Sequence, residues 1–173
     1  MMRILGIDPG YAIVGYGVVD YASSRFSLRE YGAVTTKAGE DMFRRLENIY
    51  DGMTEIIRRE NPDAVAIEQL FFTTNQKTAI AVAQARGVLV LCAQKHGIPI
   101  FEYTPLQVKL AVVGYGKAEK IQVMDMTKRI LKLKETPKPD DAADALAIAI
   151  CHGHTNGSNI KQSLIEKALL SGR

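Results

Sequence analysis

Apolar positions along this chain follow the period of strands first, and then alternate between strand and helix periods. The run Ile4-Leu5-Gly6-Ile7 within residues 3–8, stopped by the turn pair Pro9-Gly10, predicts a short buried strand. Residues 12–21 and 26–35 are rich in β-branched and aromatic side chains, and Ala22-Ser23-Ser24 between them predicts a hairpin. From about residue 41 to 60, Met42, Leu46, Ile49, Met53, Ile56 and Ile57 recur at helical spacing. Asn61-Pro62 ends that helix, because a residue before proline is pushed out of the α region. Ala64–Glu68 predicts another short buried strand.

A long helix follows over 75–96 with Gly97 as its stop, and then a strand over 98–103. Thr104-Pro105, a cap and a first-turn proline, opens a helix to Val113. Gly114-Tyr115-Gly116 breaks it, residues 118–133 are helical again, and 136–139 form a proline-marked linker. A last helix begins at Pro139 or Asp140 and runs to about His152. Strands first, then strand alternating with helix, predict an α/β domain whose mixed sheet combines an antiparallel meander with parallel strands joined by helical crossovers. Asn156-Gly157-Ser158-Asn159 marks the expected end of this domain, which gives one unit over 1–155 and a tail over 156–173, weakly helical or disordered.

A chain of 173 residues can bury a full core without disulfide staples. Its 47% apolar and 24% charged residues are those of an ordinary globular protein. The longest apolar runs, near 87–93 and 145–151, fall short of the ~18 residues of a membrane span. Met1-Met2-Arg3 leads straight into a strand with no cleavage site, so the expected location is the cytoplasm, away from any membrane. Cys92 and Cys151 both sit in apolar stretches and are expected to be buried free thiols. Cys151-His152-Gly153-His154 invites a zinc reading, but a structural zinc site usually has a second ligand pair, which is missing here.

The net charge of +3 says little by itself. Between Lys109 and Lys138, however, eight basic residues face only Glu119, Asp125 and Glu135, which suits either a phosphate footprint or a solvated helix face. The acids are more informative. Asp8 and Glu68 each close a short apolar strand. On parallel neighbours both would emerge at the carboxyl edge of the sheet, where open α/β sheets bind ligands. Asp141 and Asp144 stand three apart on one face near a helix start, among Ala142, Ala143, Ala145 and Ala147. Asp140 or Asp141 could serve simply as a cap, whereas Asp144 lies too deep for that role. Four acids brought together would repel one another and raise their pKa values, so their convergence implies a hard cation such as Mg²⁺. Two such ions can assist an in-line displacement at phosphorus.

Five segments carry a family resemblance: Gly6-Ile7-Asp8-Pro9-Gly10, Ala66-Ile67-Glu68-Gln69-Leu70-Phe71, Gln84-Ala85-Arg86-Gly87, Val112-Val113-Gly114-Tyr115-Gly116-Lys117-Ala118-Glu119-Lys120 and Asp141-Ala142-Ala143-Asp144-Ala145-Leu146-Ala147. In this order and spacing, from Met1 to His154, the chain resembles the RuvC family of bacterial Holliday-junction endonucleases. That resemblance implies a ribonuclease H-like, three-layer fold, with a mixed five-stranded sheet flanked by helices. It implies a homodimer that nicks two opposing strands of a four-way DNA junction symmetrically during recombination and repair. It also implies Mg²⁺ at Asp8, Glu68, Asp141 and Asp144, two ions per subunit, with Mn²⁺ able to substitute, and RuvA and RuvB as branch-migration partners. Phe71 matches the aromatic that stacks on a base, with Phe72 beside it as a rival, and Lys109 and Lys120 match lysines near the scissile phosphate. Lys117 is a further DNA-binding candidate, and Arg86 either faces DNA or pairs with an acid. Residues 73–96, with Ile80, Val82, Val88, Leu89 and Leu91, are the expected dimer helix.

Three other readings share parts of this pattern. Ile7-Asp8-Pro9-Gly10 also resembles the first phosphate loop of actin-like ATPases, whose fold needs a second domain that 173 residues cannot supply. A ribonuclease H cutting RNA–DNA hybrids would use the same carboxylate logic. A junction binder that does not cut would gain nothing from acids set beside phosphates.

Overall fold

The computed structural model describes the backbone of residues 1–70 and 76–171 and the side chains of 1–70 and 78–156. Five strands form one sheet: β1 (Met2–Asp8), β2 (Ile13–Ala22), β3 (Arg25–Thr35), β4 (Ala64–Glu68) and β5 (Ile100–Tyr103), in the order β3-β2-β1-β4-β5. β3, β2 and β1 pair antiparallel, whereas β1, β4 and β5 run parallel. Each parallel step is crossed by a helix, α1 (Met42–Glu60) before β4 and α2 (Gln76–Lys95) before β5. α3 (Pro105–Val113), α4 (Lys120–Ile130) and α5 (Asp140–Ser171) complete the chain. The expected mixed sheet between helical layers is the one observed.

Strand alternation decides which residue meets which layer. Leu5, Ile7, Val65 and Ile67 point to one face and share a core with Ile49, Met53, Ile56 and Ile57 of α1 and Ala85 and Leu89 of α2. Ile4 and Ala66 point to the other face and pack with Leu146, Ile148 and Ile150 of α5 and Val108 and Val112 of α3. Asp8 has the parity of Ile4, and Glu68 that of Ala66. Both carboxylates therefore leave the sheet on the side that α5 covers.

That side is built for close approach. A Cβ at Gly6 would collide with the Ala145 carbonyl oxygen, one at Gly15 with the Asp141 carbonyl oxygen, and one at Gly17 with the Leu146 side chain. With Ala145 and Ala149 against Gly6 and Asp141 against Gly15, the backbone of α5 lies almost directly on β1 and β2. Side chains of ordinary size would hold it farther away, and Asp141 and Asp144 with it.

Helix ends follow local chemistry. The Asp41 carboxylate accepts from the Phe43 N–H at 2.9 Å and so opens α1. Asn61 closes it in the left-handed region, with φ 46°, a conformation asparagine tolerates. Thr104 and Gln107 form a capping box around the start of α3, with Pro105 in the first turn, and Gly114 ends it at φ 94°. α4 is shorter than the expected 118–133. The Gln122 side chain accepts from the Glu119 N–H at 2.8 Å, making Glu119 the cap, and Lys132 turns left-handed at φ 54°. α5 corrects the largest boundary error, since it passes the expected stop at His152 and continues to Ser171. Gly153 falls inside it, where a Cβ would strike the Phe26 ring, so this glycine serves packing and not termination.

Candidate active site

Asp8 and Glu68 stand just beyond the β1–β4 ladder, whose last pair is Ile7 with Ile67. Asp144 reaches the same place from the second turn of α5. Together the three acids line a cleft of about 220 Å³, which Lys109 of α3 and Lys120 of α4 also line. Pro105, Val108, Val123, Ala147 and Ile148 form its apolar floor and walls. Asp141 lies one turn earlier on α5, backed against Gly15, and does not line the cleft itself. Its charge is still felt there.

Burial is the largest influence on the Asp8 carboxyl, followed by the like charges of Glu68, Asp144 and Asp141; together they push its pKa from 3.8 up to about 7, against the opposing pull of Lys120. Glu68 is raised for the same reasons, burial first and Asp144 second, with Lys120 again opposing. Lys120 is held above its ordinary value, chiefly by its bond to Asp144, where Nζ and Oδ2 are 2.7 Å apart. The site thus carries more negative charge than it can comfortably ionise, and one ammonium offsets part of it.

This donor set fits a hard divalent cation: carboxylate oxygens alone, with the Asp8 carboxyl held at about 7 by burial and its neighbours, a charge excess that a cation would relieve. Among the described residues, no three potential ligands stand close enough to enclose an ion as they lie. Asp144 is instead engaged by Lys120, whose side chain is more than half exposed and free to swing away.

The other expected residues sort themselves around this cleft. Lys117 is exposed in the loop between α3 and α4. The basic segment divides, because Lys128, Lys134 and Lys138 line a separate groove with Tyr31 instead of the acid cleft. Phe71 and Phe72 lie outside the described residues. Arg86, left open between DNA and an acid, pairs with Glu102 at 2.9 Å. Cys92 and Cys151 are buried free thiols. The zinc reading of the segment from Cys151 to His154 finds no support, as His152 bonds the Tyr103 hydroxyl at 2.7 Å and His154 the Ala111 carbonyl at 2.9 Å. The apolar half of the cleft was not anticipated. Pro105 and Val108 were legible only as helix residues, and no local signal shows that α3 turns them towards the acids.

The chain is similar to known proteins over most of its length. The family profile of crossover junction endodeoxyribonuclease RuvC matches residues 4–152. Crossover junction endodeoxyribonuclease RuvC of Clostridioides difficile (strain 630) is 58% identical over 155 residues, covering 90% of this chain and 92% of the relative. Among solved structures, Thermus thermophilus RuvC superposes with a TM-score of 0.85 at 37% identity, covering 91% of this chain and 97% of that one. The same protein in complex with Holliday junction substrate gives a TM-score of 0.86 at 38% identity, over 90% and 95% of the two chains. The profile match over residues 4–152, with a relative 58% identical over 90% of the chain, places this chain in the RuvC family of crossover junction endodeoxyribonucleases.

Proposed function

We propose that this chain resolves four-way DNA junctions by hydrolysing one phosphodiester in each of two opposing strands. The observation that carries this reading is the convergence of Asp8, Glu68 and Asp144 on one cleft that Lys109 and Lys120 also line. The solved relative bound to Holliday junction substrate supports the choice of DNA.

Nucleases of this family depend on metal, and Mg²⁺ is the cation these oxygens suit, two per subunit, with Mn²⁺ as a substitute. When bound, Mg²⁺ supplies a Lewis acid that polarises the phosphoryl group and eases the ionisation of the attacking water. Asp8, Glu68 and Asp144 would hold it, with Asp141 beside them in the first turn of α5. Asp8, pushed up to about 7 while the site lacks a cation, holds part of a proton near neutral pH and would give it up as a cation binds. Lys120, released from Asp144, and Lys109 balance the charge that builds on the phosphate oxygens. Lys117 meets a phosphate farther along the strand. Phe71 stacks on a base near the junction centre, an interaction of ~1–3 kcal/mol that tolerates sequence.

The dimer reading draws on α2, where Ile80, Gln84, Gly87 and Leu91 form one exposed stripe. A Cβ at Gly87 would meet nothing within 4 Å, leaving room for a partner helix to approach. A two-fold dimer offers two identical sites to a junction of similar symmetry. RuvA and RuvB are the proposed branch-migration partners, and the cytoplasm the proposed location. No helix among the described residues is long and apolar enough to cross a membrane.

The test is a set of single variants, Asp8→Asn, Glu68→Gln, Asp141→Asn and Asp144→Asn, assayed for junction binding and junction cleavage with Mg²⁺. Each should bind as the parent does and fail to cut. A variant that still cuts at the parental rate removes its residue from the site, and loss of binding and cutting together rejects the metal-holding role.

A further inference from the structure

Arg86 extends from α2 to the strand end that carries Glu68. Its Nε donates to the Glu68 backbone carbonyl at 3.3 Å. Its Nη2 stands 2.9 Å from Glu102 Oε1 on β5, near enough for an ion pair but out of line for a hydrogen bond. The side chain is 18% exposed, and it does not line the acid cleft, so it is poorly placed to meet a phosphate there.

The position of that carbonyl matters. The β1–β4 ladder ends at Ile67, one residue before Glu68, while the Gln69 N–H turns the other way and bonds the Tyr103 carbonyl at 2.9 Å. The peptide after Glu68 is therefore tied to β5 on one side and has run out of β1 partners on the other. Arg86 supplies a donor at this point, and its planar guanidinium can hold the carbonyl and Glu102 together in one fixed geometry. A carboxylate on an untethered strand end would swing, and a site for a small hard cation tolerates little swing.

We infer that Arg86 is a positioning residue, which anchors the end of β4 to α2 and so fixes the direction in which the Glu68 carboxylate enters the cleft. The inference rests on the reading of Glu68 as a cation-holding carboxylate. It assigns Arg86 neither to DNA contact nor to the reacting atoms.

The experiment measures Mn²⁺ binding to the metal-free, full-length protein by calorimetry, and junction cleavage as a function of Mn²⁺ concentration. Supporting groups around metal ligands typically account for about 10–100-fold in metal affinity. Arg86→Gln should weaken Mn²⁺ binding within that range and shift the Mn²⁺ dependence of cleavage by the same factor. Junction affinity measured without cleavage should stay at the parental value. Arg86→Lys should recover part of the loss, since a point charge can engage the Glu68 carbonyl or Glu102 but not both. Parental Mn²⁺ affinity and metal dependence in Arg86→Gln would overturn the inference, as would a loss confined to junction affinity. Should Arg86→Gln not fold, Arg86→Lys and Glu102→Gln carry the test; a severalfold loss of Mn²⁺ affinity in each is expected, and parental values in both would overturn it. Glu68→Gln is the separate control: if it binds Mn²⁺ as the parent does, the reading of Glu68 fails whatever Arg86 does.

Discussion

Replacing Asp8 with asparagine should stabilise the metal-free protein while it abolishes cleavage. In the folded chain the Asp8 pKa lies at about 7, whereas its ordinary value is 3.8. A carboxyl raised on folding binds more protons in the native state than in the unfolded state between those two values. Stability from this source is fully present below pH 4 and is lost as pH rises through 7. At ~1.36 kcal/mol per pH unit, the span from 3.8 to about 7 corresponds to a ceiling of about 4 kcal/mol at pH 8. Repulsion shared with Glu68 and Asp144 makes ~2–4 kcal/mol the working range. For a domain of this size each kcal/mol moves Tm by ~2–4 °C, so Asp8→Asn should melt about 5–15 °C above the parent at pH 8 with chelator present. Near pH 4 the two proteins should melt together. Mg²⁺ should raise the parent's Tm at pH 8 and raise the variant's much less. Calorimetric melts at several pH values and one fixed protein concentration measure all of this. A variant melting at or below the parent at pH 8 without metal would refute the charge-excess account of the cleft.

Other expectations follow from single contacts. Gly15→Val should drive the start of α5 off β2, at an overpacking cost of about 1–3 kcal/mol in denaturant unfolding, and reduce cleavage far more than junction binding. Unchanged cleavage would mean that the close approach does not set the acids. Lys120→Gln should push the Asp8 pKa still higher, visible as a shift of the pH dependence of Mn²⁺ binding towards alkaline pH; an unshifted profile would show that Lys120 does not temper the acids. Ile80→Glu with Leu91→Glu should give a monomer in sedimentation that nicks junctions without paired resolution, and an intact dimer would place the seam elsewhere.

Much of the fold was legible because the chain is locally consistent. Thr104-Pro105 and Gly114 carry the bounds of α3 in their own chemistry, and Asp8 and Glu68 announce themselves as charges closing apolar strands. Two kinds of information were not local. The end of α5 is one: Asn156-Gly157-Ser158-Asn159 marks a domain end in the sequence, yet the helix continues through it to Ser171, and Gly153 packs under Phe26 on the way. The basic segment suits either a phosphate footprint or a solvated helix face, and the fold divides it: Lys109 and Lys120 line the acid cleft, Lys128, Lys134 and Lys138 a groove with Tyr31, and Lys132 a third groove. Arg86 stayed ambiguous for the same reason: its partners, the Glu68 carbonyl and Glu102, lie on strands that only the tertiary fold brings to it.

The most direct measurement of the central claim is cleavage of a labelled mobile four-way junction in Mg²⁺, with linear duplex and RNA–DNA hybrid as controls. Paired nicks at symmetric positions in two opposing strands, in the junction alone, are the predicted result. Cutting of the hybrid in preference to the junction, or tight junction binding with no cut in either strand, would contradict it.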